Sequence, residues 1–395
     1  MLHKEEKFPG KYYPVPVVYG LVNGSATFSN AFGNQSSPSV AEFLVTRVSD
    51  FALASIDGQL LAAAQTDPGA FIDGAELMID AAFQTQVNRI ASAIFRNGAG
   101  TIGQIELVAA GIPADTFLVT LTNVSDATQF EIAQKLQAVQ FVDGTGLTPV
   151  DIGTVTAVDR NTGILTILAG VGINLVVQWP VGYYLATQGD LPTLVNNNFQ
   201  PIGSTTNPML KIAGFAAWLP IAGPPVNDAF FGVNRNLDRQ RLAGVVFNGQ
   251  TLSLEEALLQ GTGKIAMNGG RVDTGICSYA TYTALITSLG AKVQYIDERI
   301  GEIGFRGVQI NGANTVMSIF PDRNCPDGLI YALEMDSWCL RSQNPAPHIL
   351  KYLDEIEVLR VPGQDSAELR VGFYGNLYCT RPGFNGAITV QVQEF

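Results

Sequence analysis

The chain has 395 residues, of which 47% are hydrophobic and only 15% charged, well under the quarter usual for soluble domains. So few charges leave little to keep the surface wet, and much of that surface is expected to face other protein. The balance is acidic, with 35 Asp and Glu against 23 Lys and Arg for a net charge of −12. No Lys/Arg cluster appears, which argues against tight DNA readout through counterion release. At about 150 residues per domain, the length predicts two or three structural units.

In chain order, residues 1–11 are polar and read as an arm. The segment MLHKEEKFPGKYY has no apolar signal-peptide core. Over 12–34, Tyr13, Val15, Val17 and Tyr19 alternate with Pro14, Pro16 and Val18, and Asn23-Gly24 gives a turn signal before Ala26 and Phe28. This reads as a β-hairpin, and its prolines suit an edge or projecting strand. A hairpin so early has little local core, so another element has to cover it, with a neighbouring copy as one candidate, and Tyr13, Val15, Val17, Tyr19, Phe28 and Phe32 are the residues expected to meet such a neighbour. Val40, Phe43, Val45 and Val48 continue an extended stretch to Ile56. From Asp67-Pro68, apolar residues recur at Phe71, Ala75, Met78, Ala82, Val87, Ile90 and Ile94, one face of a long helix that Gly98 stops.

Residues 101–190 read as a separate β-rich unit, with strands over 117–122, 137–142, 154–158 and 164–168, suggesting a small barrel or sandwich. Residues 161–189 carry no charge. Gly163, Gly170, Gly172, Pro180 and Gly182 interrupt that stretch repeatedly, so it reads as interior strands and not a membrane span. Gly98, Gly100 and Gly103 form a hinge into this insertion. After 196–198 the pattern mixes. Ser253 with Glu256 is a capping box for a helix expected to break at Gly261 and Gly263. Ser278 caps a second helix ending at Gly290. Strands are expected over 307–310, 315–319, 329–333, 356–361, 368–378 and 387–392. The whole reads as α+β.

Motifs for chemistry mostly fail. Gly98-Ala99-Gly100-Thr101-Ile102-Gly103 matches the dinucleotide string, but a helix runs into it and strand-like sequence runs out, the inverse of what phosphate binding needs. Gly263-Lys264 is followed by Ile265 where a phosphate loop needs Ser or Thr. His3 and His348 are the only histidines, one in the arm and one in a loop, a poor basis for acid–base catalysis. Asn23-Gly24-Ser25 and Asn123-Val124-Ser125 match glycosylation strings without a secretory signal. Cys277, Cys325, Cys339 and Cys379 lack CxxC or zinc spacing and read as buried free thiols. No catalytic, cofactor or metal residues are assigned, and the expectation is a protein that is not an enzyme.

The order arm, hairpin, long helix, mixed centre and closing strands resembles the Hong Kong 97-type fold of tailed-bacteriophage major capsid proteins. Gly24-Ser25-Ala26-Thr27-Phe28 resembles that family's extended loop, and Thr66-Asp67-Pro68-Gly69-Ala70-Phe71 the start of its spine helix. Gly232-Val233-Asn234-Arg235, Arg241-Leu242-Ala243-Gly244 and Ser253-Leu254-Glu255-Glu256-Ala257 resemble the approach to its central helix pair. Phe373-Tyr374-Gly375-Asn376-Leu377 with Arg381-Pro382 resembles its closing strands. The resemblance implies an arm (1–11), an extended loop and return strand (12–57), a spine helix (58–100) and an inserted β-domain (101–192). An axial domain with connecting peripheral parts (193–350) and closing peripheral strands (351–395) would follow.

It further implies hexamers and pentamers tiling an icosahedral virion shell, assembled in a host cytoplasm around DNA held without sequence-specific binding. Partners would be neighbouring capsid subunits and possible separate scaffolding, portal and decoration proteins, with no membrane and no cofactor. With the sequence opening at Met1, no removed N-terminal segment is expected, and any scaffold would be a separate chain. The family's Lys–Asn cross-link finds no residue match, although Lys11 is present. Two other readings are weighed: an extracellular array or adhesin protein, which would need an export route, and a carboxylate-dependent hydrolase, which would need an acidic pocket with perturbed pKa values.

Overall fold

The computed structural model describes residues 3–8, 10–22, 25–57, 68–113, 115–141, 152–190, 209–226, 228–289, 295–296, 307–312, 314–351, 358–361 and 363–391. Strand β1 (His3–Glu6) runs parallel to residues 339–342. Part of the expected arm is therefore an edge strand of the chain's own body. Arg341 fastens it, pairing with Glu5 at 2.6 Å and donating to the Lys7 carbonyl at 2.6 Å. Backbone pairing needs no side-chain pattern, so the polar sequence hid the strand.

Strands β2 (Tyr12–Gly20) and β3 (Ser39–Thr46) pair antiparallel, from Tyr12↔Thr46 to Gly20↔Ser39, with helix α1 (Phe28–Gly33) between them. The return strand is therefore 39–46 and not the stretch around Phe28. The physical reason is periodicity. Ala41, Phe43 and Val45 alternate inward, whereas Phe28 and Phe32 stand at the i, i+4 spacing of a helix face. The Asn23-Gly24 turn lies outside the described residues.

Strand β4 (Val48–Asp57) follows, then α2 (Pro68–Phe95), 28 residues long, about 42 Å at 1.5 Å per residue. The helix packs on the β4 face through Ala54, Ala82 and Phe83. Beyond it six strands close into a barrel: β5 (Thr101–Ala110), β6 (Thr116–Leu121), β7 (Lys135–Val139), β8 (Gly153–Asp159), β9 (Ile164–Ala169) and β10 (Tyr184–Thr187). Their order is β10-β5-β6-β9-β8-β7, with β7 pairing back to β10. Closure removes unpaired edges, and the interior is filled by Phe130, Val119, Leu165, Trp179 and Leu185.

The rest builds two sheets. Helices α3 (Leu175–Gln178), α4 (Phe215–Trp218) and α5 (Arg239–Ala243) are short, the first within the barrel unit. After β11 (Val245–Asn248) comes α6 (Leu254–Met267), capped by the Ser253 hydroxyl accepting from Glu256 N at 3.3 Å. The helix is unbroken. Gly261 allows close approach to a strand, since a Cβ there would stand 2.5 Å from Ile388 Cδ1. Then come β12 (Thr274–Cys277), α7 (Tyr279–Leu289), β13 (Tyr295–Ile296), β14 (Gly307–Asn311), β15 (Val316–Pro321) and β16 (Leu329–Leu333). The last strands are β17 (Trp338–Ser342), β18 (His348–Ile349), β19 (Val358–Arg360), β20 (Ser366–Cys379) and β21 (Gly386–Thr389).

One sheet is seven-stranded, in the order β11-β21-β16-β12-β15-β14-β13, with α6 and α7 packed on it through Leu258, Ile265 and Leu285. The other centres on the 14-residue β20, which pairs with β4, β17, β18 and β19. The sheets interweave: β17 lies beside β20, while β21 crosses into the seven-stranded sheet. Asn385 stitches this crossing. Its side-chain oxygen accepts from Glu334 N at 2.7 Å and Trp338 Nε1 at 2.8 Å, and its nitrogen donates to Ser337 Oγ and Arg381 O.

An aromatic core lies between. Trp218 meets Phe230 edge-on at 5.0 Å and donates its indole N–H to Leu377 O. Phe215 packs edge-on against Trp338 at 4.8 Å. The buried Asp228–Arg235 pair (2.7 Å) borders it, with the guanidinium 4.0 Å from the Phe230 ring. Such a pair persists when geometry and hydrogen bonds offset the desolvation of both ions, and Arg235 also donates to Ala217 O at 2.7 Å.

Candidate assembly surface

The hairpin has two faces because successive side chains of a strand point oppositely. One face belongs to the chain itself. Val15 and Val17 are buried in the main core with Ala41, Phe43 and Val45. Tyr13 lies against Tyr378 at 5.2 Å with Arg341 stacked over it at 3.9 Å. Tyr19 is half-buried and its carbonyl accepts from Arg241. Four of the six residues expected to meet a neighbour thus have partners within the chain, and Val15 and Val17 have no surface left to offer. The body supplies a core that the early chain position concealed: Trp218 and Phe230 flank Phe43 at 5.1 and 6.1 Å.

The other face is bare. Tyr12, Val18, Val40 and Leu44 are exposed along it. At the tip Leu21 and Val22 are exposed, Phe28 is 91% exposed and Phe32 73%. Helix α1 buries no residue and has no side-chain cap, so its aromatic stripe does nothing for the fold of a single chain. Leu21 and Val22 had no signal in the sequence beyond being apolar next to a turn.

A groove of about 550 Å³ runs between β4 and α2, lined by Phe51, Leu53, Met78, Ala82, Thr85 and Arg89 among others. Phe51 and Leu53 are exposed there. The far end of the barrel adds Ile112 and Val171, almost wholly exposed. Apolar side chains bare in patches rather than singly mark contact surfaces.

The three glycines expected to form a hinge divide. Gly98 and Gly100 have φ of +82° and +84°, and a Cβ at Gly100 would stand 2.7 Å from Asp190 O. They turn the chain from α2 into the barrel through a tight passage. Gly103 lies inside β5, against Asp126 and Phe130, and belongs to the barrel wall.

No catalytic constellation forms from the residues singled out. His348 is braced by Asn344 at 3.0 Å and Pro345 O at 2.9 Å, and the His3 side chain lies outside the described residues. Lys264 donates to Val246 O at 3.0 Å, tying α6 to β11. Burial pushes the thiols of Cys277 and Cys379 up to about 12 and holds those of Cys325 and Cys339 above their usual range, away from nucleophilic use. Among the described residues no His, Cys, Asp and Glu group is arranged for a metal, and no helix is long and apolar enough to cross a membrane.

No family model matches the chain, and no curated protein matches it. Among solved structures the chain is similar to the capsid asymmetric unit of cyanophage A-1(L), at 11% identity over 98% of this chain and 90% of that one, with a TM-score of 0.49. It is similar to the capsid of a native GTA particle at 8% identity, over 100% and 88%, with a TM-score of 0.43. It is also similar to an encapsulin complex of Synechococcus elongatus PCC 7942 at 10% identity, over 100% and 88%, with a TM-score of 0.38.

Proposed function

We propose that this chain is the major capsid protein of a tailed bacteriophage, a virion subunit whose copies form hexamers and pentamers in an icosahedral shell around double-stranded DNA. The observation that carries the reading is the divided hairpin. Its inner face is anchored in the chain's own core, while its outer face and aromatic tip present Phe28 and Phe32 to solvent. An anchored projection with a bare apolar end is a connector. In a repeated head-to-tail arrangement each tip meets the same site on the next copy, and a rotation that closes gives a ring. Each joint is modest, and many joints held at once make a firm shell.

The sequence resemblance supports the same assignment of parts. The β20 sheet with α2 would form the peripheral domain, the seven-stranded sheet with α6 and α7 the axial domain, and the barrel the insertion. The net charge of −12 suits a wall that holds DNA without adhering to it. Scaffolding, portal and decoration proteins are the further partners implied. Expression of the chain alone, followed by size-exclusion chromatography and electron microscopy, tests the reading. Five- and six-membered rings, tubes or shells are expected. A monodisperse monomer at high concentration, with or without crowding agents, overturns it.

A further inference from the structure

The barrel enters and leaves the body through one narrow neck. The chain goes in over Gly98–Gly100 and comes out at Asp190, whose carbonyl nearly touches Gly100, and at Lys211 it is again beside Gly98, with Lys211 N donating to Gly98 O. The barrel has a core of its own, and among the described residues no buried apolar cluster spans barrel and body. Polar ties join them instead. Arg96, at the end of α2, pairs with Asp126 at 2.7 Å. Ser125 donates to Asp327 at 2.7 Å and Gln129 to Asn324 at 2.9 Å, both onto the loop between β15 and β16.

At the neck itself, Lys211 Nζ lies 2.9 Å from Asp50 of β4 and 3.1 Å from Asp190 of the barrel's exit. Arg89 of α2 approaches Asp190 from the other side at 3.7 Å. The Lys211 and Asp50 side chains are only 14% and 15% exposed. We infer that the barrel is a latched module: Lys211 is the latch that fixes its orientation, and without that cation the barrel turns about the Gly98–Gly100 neck as a folded unit.

The physics is local. Among the described residues Lys211 is the ammonium shared by two largely buried carboxylates on different units. Among the described residues, removing it leaves Asp50 and Asp190 facing each other with Arg89 alongside Asp190, and like charges at short range in a partly dry site repel strongly. Burial already pushes the Asp190 carboxyl up, with Lys211 opposing that push. The outer ties are the Arg96–Asp126 ion pair and two side-chain hydrogen bonds, each modest by itself, so repulsion at the neck makes the seam open more often. A seam of polar contacts between two separately cored units is the type that opens without unfolding either.

Hydrogen exchange on the full unassembled chain tests this, and its readout does not depend on shell formation. In Lys211→Met, amides at 124–129 and 322–328 are expected to exchange about tenfold faster, the factor matching ~1.4 kcal/mol, while β6, β9 and β20 keep their protection. The surface pair Ser125→Ala with Gln129→Ala is expected to loosen the seam less on its own and to add to Lys211→Met. Should Lys211→Met fail to fold, the wild type compared at about 0.05 and 1 M salt gives the same readout, because screening weakens the ion pairs. Seam exchange that is unchanged by both the variant and salt overturns the inference. So does loss of protection in barrel and body strands together, which would make them one fused unit.

Discussion

Replacing Phe28 and Phe32 together with Ser separates folding from assembly. Phe28 is 91% and Phe32 73% exposed, so in the single chain neither covers core. The unfolding free energy should stay within about 0.5 kcal/mol, as for surface changes away from special features. Burying a Phe side chain fully contributes about 1.5–3 kcal/mol, so two that begin this bare offer about 3–5 kcal/mol to one joint. Ordering of the tip and of the side chains it meets removes part of that. A net loss of about 2–3 kcal/mol per joint raises the assembly threshold about 30- to 150-fold.

The assay is light scattering against protein concentration, with urea unfolding on the same samples. Val17→Ser is the reciprocal control. Val17 is 4% exposed in the main core, so the change should cost about 2–3 kcal/mol of stability through the monomer's own fold. An unchanged threshold in the Phe variant would show that the tip is not a joint. A large drop in its unfolding midpoint would show that the tip supports its own chain.

Arg235→Met leaves Asp228 buried without its cation, and about 3–5 kcal/mol of stability should be lost. Asp228→Asn with Arg235→Met should recover much of it, and urea midpoints of the two variants read the difference. The buried thiols predict a pH effect with a definite sign. Cys277 and Cys379 are pushed from 9.0 to about 12, so the unfolded chain ionises where the folded one cannot. The stability they contribute is full below about pH 9 and falls as pH rises toward 12. At pH 8 a thiol reagent should label none of the four cysteines quickly, and prompt labelling of Cys277 or Cys379 in the folded chain would refute their burial.

What the sequence made legible follows from which forces act locally. Helix α2 was readable because Ala82, Ile90 and Ile94 repeat at helical spacing. Strands β6, β8 and β9 were readable because short apolar runs stood between turn residues. Strand β5 escaped because a bulge between Ile105 and Leu107 exposes Glu106 and Leu107 together and breaks the alternation. Strand β1 escaped because His3–Glu6 gains its place from the backbone of β17. The division of the hairpin was half visible. Alternation marked Val15 and Val17 as one face, but nothing local told whose core that face would enter. The carboxylates that Lys211 joins stand at positions 50 and 190, a meeting that only tertiary structure makes.

The Asn385 carboxamide holds the corner where the two sheets trade strands, gripping the Glu334 amide, the Trp338 ring and the Arg381 carbonyl with one planar group. Such a corner acts like a welded bracket in a frame. Stress arriving along β20 is expected to pass into the seven-stranded sheet with the angle between them kept, which would divert any reshaping of the subunit to its slender parts, the hairpin's far end and the passage beneath the barrel.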